Sequence, residues 1–199
     1  MSAFALLCMI LVAGAGEPEG MPPVPNTPAA VEGIVYARPF TLEEGYRFAW
    51  RKEHPTVSEG YVVVLQVDPA LVHPRNSLEP VLYVGDRTAE RVNLGHKSGR
   101  LIALVPGRMD LATAPVWFGT PELPERVDAA TIAKERARAK KAGIEAFGKE
   151  AITAALRRGG ERLEAADHDA LMRELAGLVR EYSPEEKELA ESLAMIGRR

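Results

Sequence analysis

Tyr61-Val62-Val63-Val64-Leu65-Gln66-Val67 is the stretch that decides the architecture. Its valines are β-branched, which favours extended backbone over helix. It is apolar at odd and even positions alike, so a strand built from it is covered on both faces. The stretch is expected near the centre of a sheet, ended by Asp68-Pro69.

Shorter strand signals lie on either side. Gly33 to Ala37 reads as a strand closed by Pro39. Tyr46 to Trp50 alternates, with Tyr46, Phe48 and Trp50 on one face. Val81 to Val84 stops at Gly85-Asp86, and Val116 to Phe118 adds a short last strand. Ala89 to Leu94 and Arg100 to Val105 flank Gly95-His96-Lys97-Ser98-Gly99, the pattern of a hairpin with a five-residue loop. Parallel pairing needs a crossover of a dozen or more residues, usually helical, and the sequence offers no helix between these strands. The expected fold class is α+β: an N-terminal antiparallel β-sandwich or partly open barrel, followed by a C-terminal helical segment.

The seam between the two parts falls at Asp128. Nine of the twelve aromatic residues lie between Tyr36 and Phe118, and fourteen of the fifteen prolines precede Asp128. Alanine, leucine and charged residues dominate after it, which is helix-forming chemistry. Asp128 caps an expected helix over 129–142, and a second runs over 144–158 to Gly159-Gly160. Asp167 caps a third, with Leu171, Leu175, Leu178 and Tyr182 as its apolar stripe. Ser183-Pro184-Glu185-Glu186 has the pattern of a capping box, with proline at the first helical position. The helix it opens carries Leu189, Leu193 and Ile196 on one face.

The amino terminus reads as an export signal. Phe4 to Val12 is an unbroken apolar run before Ala13-Gly14-Ala15, although the region before it lacks Lys and Arg. A run of that length is too short for a bilayer, which takes about 20 apolar residues. Cleavage after Ala15 is expected, giving an extracytoplasmic chain, periplasmic or secreted, with no transmembrane anchor. Cys8, the sole cysteine, leaves with the leader, so cysteine chemistry is not expected in the mature protein. The expected division is 1–15 signal peptide, 16–30 Pro-rich linker, 31–127 β-rich domain and 128–199 helical segment. A net charge of −3 gives no basic footprint for nucleic acid.

Motifs of catalysis and ligation are weak. Gly143 to Lys149 has the spacing of a phosphate loop, but Glu150 stands where magnesium needs Ser or Thr, and no strand precedes it. Asp167-His168-Asp169 lacks the later ligands of a calcium loop and reads as an acidic helix start. Ser98 is one position late for a nucleophile elbow. Asp68, His73, Asp86 and His96 form the one constellation with acid–base potential, as histidine beside carboxylate serves a proton shuttle near neutral pH. Arg87, Arg91, Lys97 and Arg100 surround the hairpin, where they would form an anion-binding rim or keep a sheet edge soluble. Trp117 would be a binding platform if exposed and core if buried. No cofactor and no metal are expected. The function expected is that of an exported, non-catalytic binding or structural protein with a protein or glycan partner. The alternatives are an extracytoplasmic hydrolase or group-transfer enzyme using the loop histidines and acids, and an assembly module that binds through its C-terminal helices.

Overall fold

The computed structural model describes residues 29–46, 57–67, 81–93, 97–119, 146–160 and 166–198. Seven strands come first: β1 Ala29–Ala30, β2 Gly33–Tyr46, β3 Val57–Gln66, β4 Val81–Val84, β5 Arg87–Arg91, β6 Arg100–Pro106 and β7 Val116–Gly119. Among the described residues three helices follow: α1 Lys149–Gly159, α2 His168–Tyr182 and α3 Lys187–Ile196. The class is α+β, with an antiparallel sheet in the order β1-β7-β4-β5-β6-β3-β2. The ladder is open, since β1 and β2 are not hydrogen-bonded to each other. Only Val31 and Glu32 separate them along the chain.

β3 holds the Tyr61-to-Gln66 run between β2 and β6. Its alternate residues enter two different cores, as a strand apolar at both parities requires. Val63 and Leu65 join an inner cluster with Leu82, Val84, Leu101, Val105, Val116 and Phe118. Val62 and Val64 join a second cluster with Ile102, Leu104 and the apolar faces of α2 and α3. The inner cluster thus unites β2, β3 and β6 with β4 and β7, which lie on the far side of β5 in the ladder. β5 is the corner: Arg87 to Ala89 pair with β4, and Glu90 and Arg91 pair with β6.

Pro39 does not end its strand. β2 runs on to Tyr46, and Pro39 sits opposite Tyr61. Proline is tolerated on an edge strand because its missing N–H need not serve a second neighbour. The outer edge of β2 is covered instead by the tail. Arg158 Nε donates to the Val35 carbonyl. Gly159 lies so close that a Cβ there would sit 2.0 Å from the Ala37 oxygen. Ala166 adds a parallel bridge, accepting from Glu43 N at 3.1 Å and donating to Thr41 O at 3.0 Å. An edge covered this way is not offered to other chains.

α1 starts at Lys149, later than the sequence pattern suggests, because Ala146 bridges to Pro115 and Gly148 is extended. α2 is capped as expected: the Asp167 carboxylate accepts from Ala170 N at 2.6 Å. Ser183 departs from expectation. It ends α2, donating its N–H to Val179 O, and α3 begins only at Lys187 without a side-chain cap. Its hydroxyl is held by the β5–β6 hairpin, described next. The expected helix over 129–142 lies outside the described residues.

Candidate functional site

A buried polar seam joins the β5–β6 hairpin to the turn between α2 and α3. Asn93 and Ser183 are the buried polar residues among those described. The Asn93 amide donates to Ser183 Oγ at 2.7 Å and to Arg100 O at 3.2 Å, while its Oδ1 accepts from Ile102 N at 2.6 Å. Ser183 Oγ also lies 3.3 Å from Arg100 O and 3.3 Å from Ser98 Oγ. Ser98 N donates to the Glu185 carboxylate at 2.7 Å, and Ser98 Oγ accepts from Arg100 N at 3.1 Å. Asn93 replaces a ladder partner that the hairpin loses where it opens into its loop. Buried polar groups satisfied on this scale fix one arrangement, since any other leaves donors or acceptors unpaired.

Beside the seam, Tyr36, Arg38 and Glu174 meet between β2 and α2. Tyr36 OH donates to Glu174 Oε1 at 3.1 Å, and Arg38 reaches the same oxygen at 3.3 Å. Burial pushes the Tyr36 phenol up to about 12, and the Glu174 carboxylate adds to that by repelling the phenolate. The Tyr36 and Tyr182 rings lie 6.1 Å apart. Burial also raises the Tyr182 phenol, with Glu181 acting in the same sense and Arg158 and Arg100 opposing.

The residues singled out in the sequence scatter. Asp68, His73 and His96 lie outside the described residues. Asp86 is exposed at the β4–β5 turn, 3.7 Å from the Arg87 guanidinium. Arg87 donates to Pro106 O at 2.9 Å and lies over Gly107, at the end of the hairpin remote from its loop. Six residue steps along β6 separate Pro106 from Arg100, roughly 20 Å of extended chain. Arg91 pairs with Ala103, whose side chain belongs to the inner cluster, whereas Arg100 lies on the strand face of Ile102 and Leu104, which belong to the helix-facing cluster. A single cationic rim is therefore not formed: Arg87 and Arg91 lie away from Lys97 and Arg100. Lys97 is exposed beside Ser98 at the loop. Trp117 is fully buried and stacks on Tyr83 at 5.2 Å, so it is a core residue and offers no platform.

Among the described residues no group of three or more His, Cys, Asp or Glu side chains is placed to hold a metal ion. No described helix is long and apolar enough to cross a membrane. Sequence reasoning did not find Asn93 or Glu174, and it read Ser183 as a helix cap. Asn93 ends an apolar strand pattern, a weak hint that a side chain takes over the ladder there. Nothing local pairs Tyr36 with a residue 138 positions away. No family model, curated protein or solved structure matches the chain.

Proposed function

We propose that this is an exported, non-catalytic binding protein that presents the base of the β5–β6 connection, at Asn93 and at Lys97 to Arg100, as a recognition element for a protein or glycan partner. The observation that carries the reading is the seam of Asn93, Ser98, Ser183 and Glu185, which fastens both ends of the loop to the helical tail. Residues held by buried hydrogen bonds lose little conformational entropy on binding, which is the advantage of a preorganised surface. Lys97 is the exposed cation it carries. The scaffold beneath fits a partly open barrel: the inner cluster draws on both ends of the ladder, and β1 and β2 are nearly one strand. Export rests on the apolar leader and the small residues after it.

Two measurements test this. Mass spectrometry of the mature protein is expected to find Gly16 at the amino terminus, and an intact Met1 in the cytoplasm contradicts export. Immobilised mature chain is expected to retain acidic but not neutral polysaccharide, with retention lost in Lys97→Glu. Equal retention of both by the variant and the parent removes the loop as the recognition element.

The assembly reading has one observation in its favour. Met195 and Ile196 at the end of α3 are 61% and 42% exposed, the large apolar side chains that the described surface leaves open. The stripe of Leu171, Leu175 and Leu178, however, is spent on the sheet.

A further inference from the structure

Ala190 and Leu193 bury the inner side of α3, and the outward side carries Met195 and Ile196, the exposed large apolar side chains among the described residues. Fraying does not account for that exposure, because the end of α3 is fastened. Gly197 donates its N–H to Leu193 O at 3.1 Å, and Arg173 of α2 donates to the Gly197 carbonyl. A Cβ on Gly197 would lie 2.7 Å from the Asp169 oxygen, so the helix end is seated on α2. Arg198 N donates to Met195 O at 3.3 Å, which holds the next residue in a turn. Glu191 precedes Met195 by four residues and Arg198 follows it by three, and both are exposed. Roughly 10 Å of helix axis separates the two, so they are not neighbours within one copy. Exposed Glu188 lies one turn before Glu191, and Arg173 lies beside Gly197. Acid thus gathers on one side of Met195 and base on the other, with Lys187 on the flank of the stripe.

We infer that a second copy of this chain docks on this face, with α3 antiparallel to α3 about a two-fold axis at Met195. Such an axis sets the two Met195 side chains together and brings Glu191 of each copy to Arg198 of the other, so each charge contact is made twice. A parallel arrangement sets acid on acid and base on base. Ser192, small and exposed beside Met195, admits close approach of the helices. One short helix face buries less than the roughly 1,600 Å² of a standard interface, so the association is weak, on the order of 100 μM. The dimer carries two β5–β6 elements, and a repeating polymer that engages both gains avidity without a new contact. That consequence rests on the reading of the β5–β6 element above; the association itself does not.

Sedimentation equilibrium of the mature chain tests this. The weight-average mass is expected to rise from one copy toward two between about 10 μM and about 1 mM. Met195→Lys is expected to hold it at one copy throughout. Glu191→Arg and Arg198→Glu are each expected to weaken association about tenfold, since each sets like charges face to face at two symmetric places. The double swap, Glu191→Arg with Arg198→Glu, reverses both ends and is expected to restore it. These positions are exposed, so the substitutions leave the core intact. A parent that stays at one copy up to about 1 mM overturns the second copy as occupant and leaves the face to a different protein. Association that survives Met195→Lys, or that the double swap does not restore, overturns the antiparallel contact. Lys97→Glu is expected to leave association unchanged; a loss there moves the contact to the β5–β6 element and overturns the α3 face.

Discussion

The two faces of the sheet are built by different means. The inner face is closed by apolar side chains of the β-part itself, with Ile152 and Ala155 of α1 at its margin and the Tyr61 hydroxyl donating to Met109 O at 3.1 Å at its edge. The outer face of β2, β3 and β6 is closed by α2 and α3, brought from more than sixty residues further along the chain, and is bordered by polar pins. Apolar burial is non-directional and tolerates sliding; hydrogen bonds do not. The inner face is specified by strand pairing. The outer face needs Tyr36, Arg38 and Glu174, and Asn93 with Ser183, to fix where the helices lie.

Substitutions that separate the two faces sharpen this contrast. The largest effect is expected from Leu175→Ala, which empties a fully buried site between α2 and the sheet. It should cost about 2–5 kcal/mol, measured by denaturant unfolding. Leu101→Ala on the inner face should cost about as much. Should Leu175→Ala cost under about 1 kcal/mol, the outer core is not part of the folded unit. Asn93→Ala comes next. It strands Ile102 N and removes the shortest contact of the Ser183 hydroxyl, for about 1–3 kcal/mol. Asn93→Ala together with Ser183→Ala should cost less than the sum of the single changes, since each single change already removes the shared Asn93–Ser183 hydrogen bond. Strict additivity would show that the two residues do not interact.

Alkaline pH sharpens the same comparison. The folded Tyr36 phenol titrates at about 12, above its ordinary value of 10.0, because the folded chain disfavours the phenolate. Its contribution is complete below pH 10 and is lost as pH rises toward 12, a fall of about 2 kcal/mol. Tyr36→Phe should flatten stability across that window, at the price of leaving Glu174 one donor short. A parent whose stability does not fall between pH 10 and 12 contradicts the burial of the Tyr36 phenol beside Glu174. The smallest effect is expected for Glu174→Gln, which keeps a hydrogen-bond acceptor but loses the charge facing Arg38. With side chains 25% and 14% exposed, the pair is partly solvated, and about 1 kcal/mol is the expected loss.

Several strand positions and the fold class were legible where residues act through their neighbours. Val81 to Val84 pairs over its whole expected length, and the Ala89-to-Val105 hairpin forms because alternation and glycine placement are local signals. The Asp167 cap was legible for the same reason. The extension of β2 through Pro39 was not, since whether proline breaks a strand depends on which neighbour lies at its nitrogen side. Ser183 misled for a related reason. Its Ser-Pro-Glu-Glu context is a good helix start, but a buried hydroxyl takes the strongest available partners, and the hairpin supplies them 90 residues away. The separation of Arg87 from Lys97 and Arg100 follows from register, which composition does not encode.

The central claim is that helices and sheet form one cooperative unit, pinned at the hairpin. Native-state hydrogen exchange of the Val62, Val64 and Ile102 amides, followed beside those of Leu175 and Val179 in Leu175→Ala, tests it most directly. Strand and helix amides are expected to lose protection together and by the same amount. Helix amides that exchange freely while the strand amides keep their parental protection would contradict it.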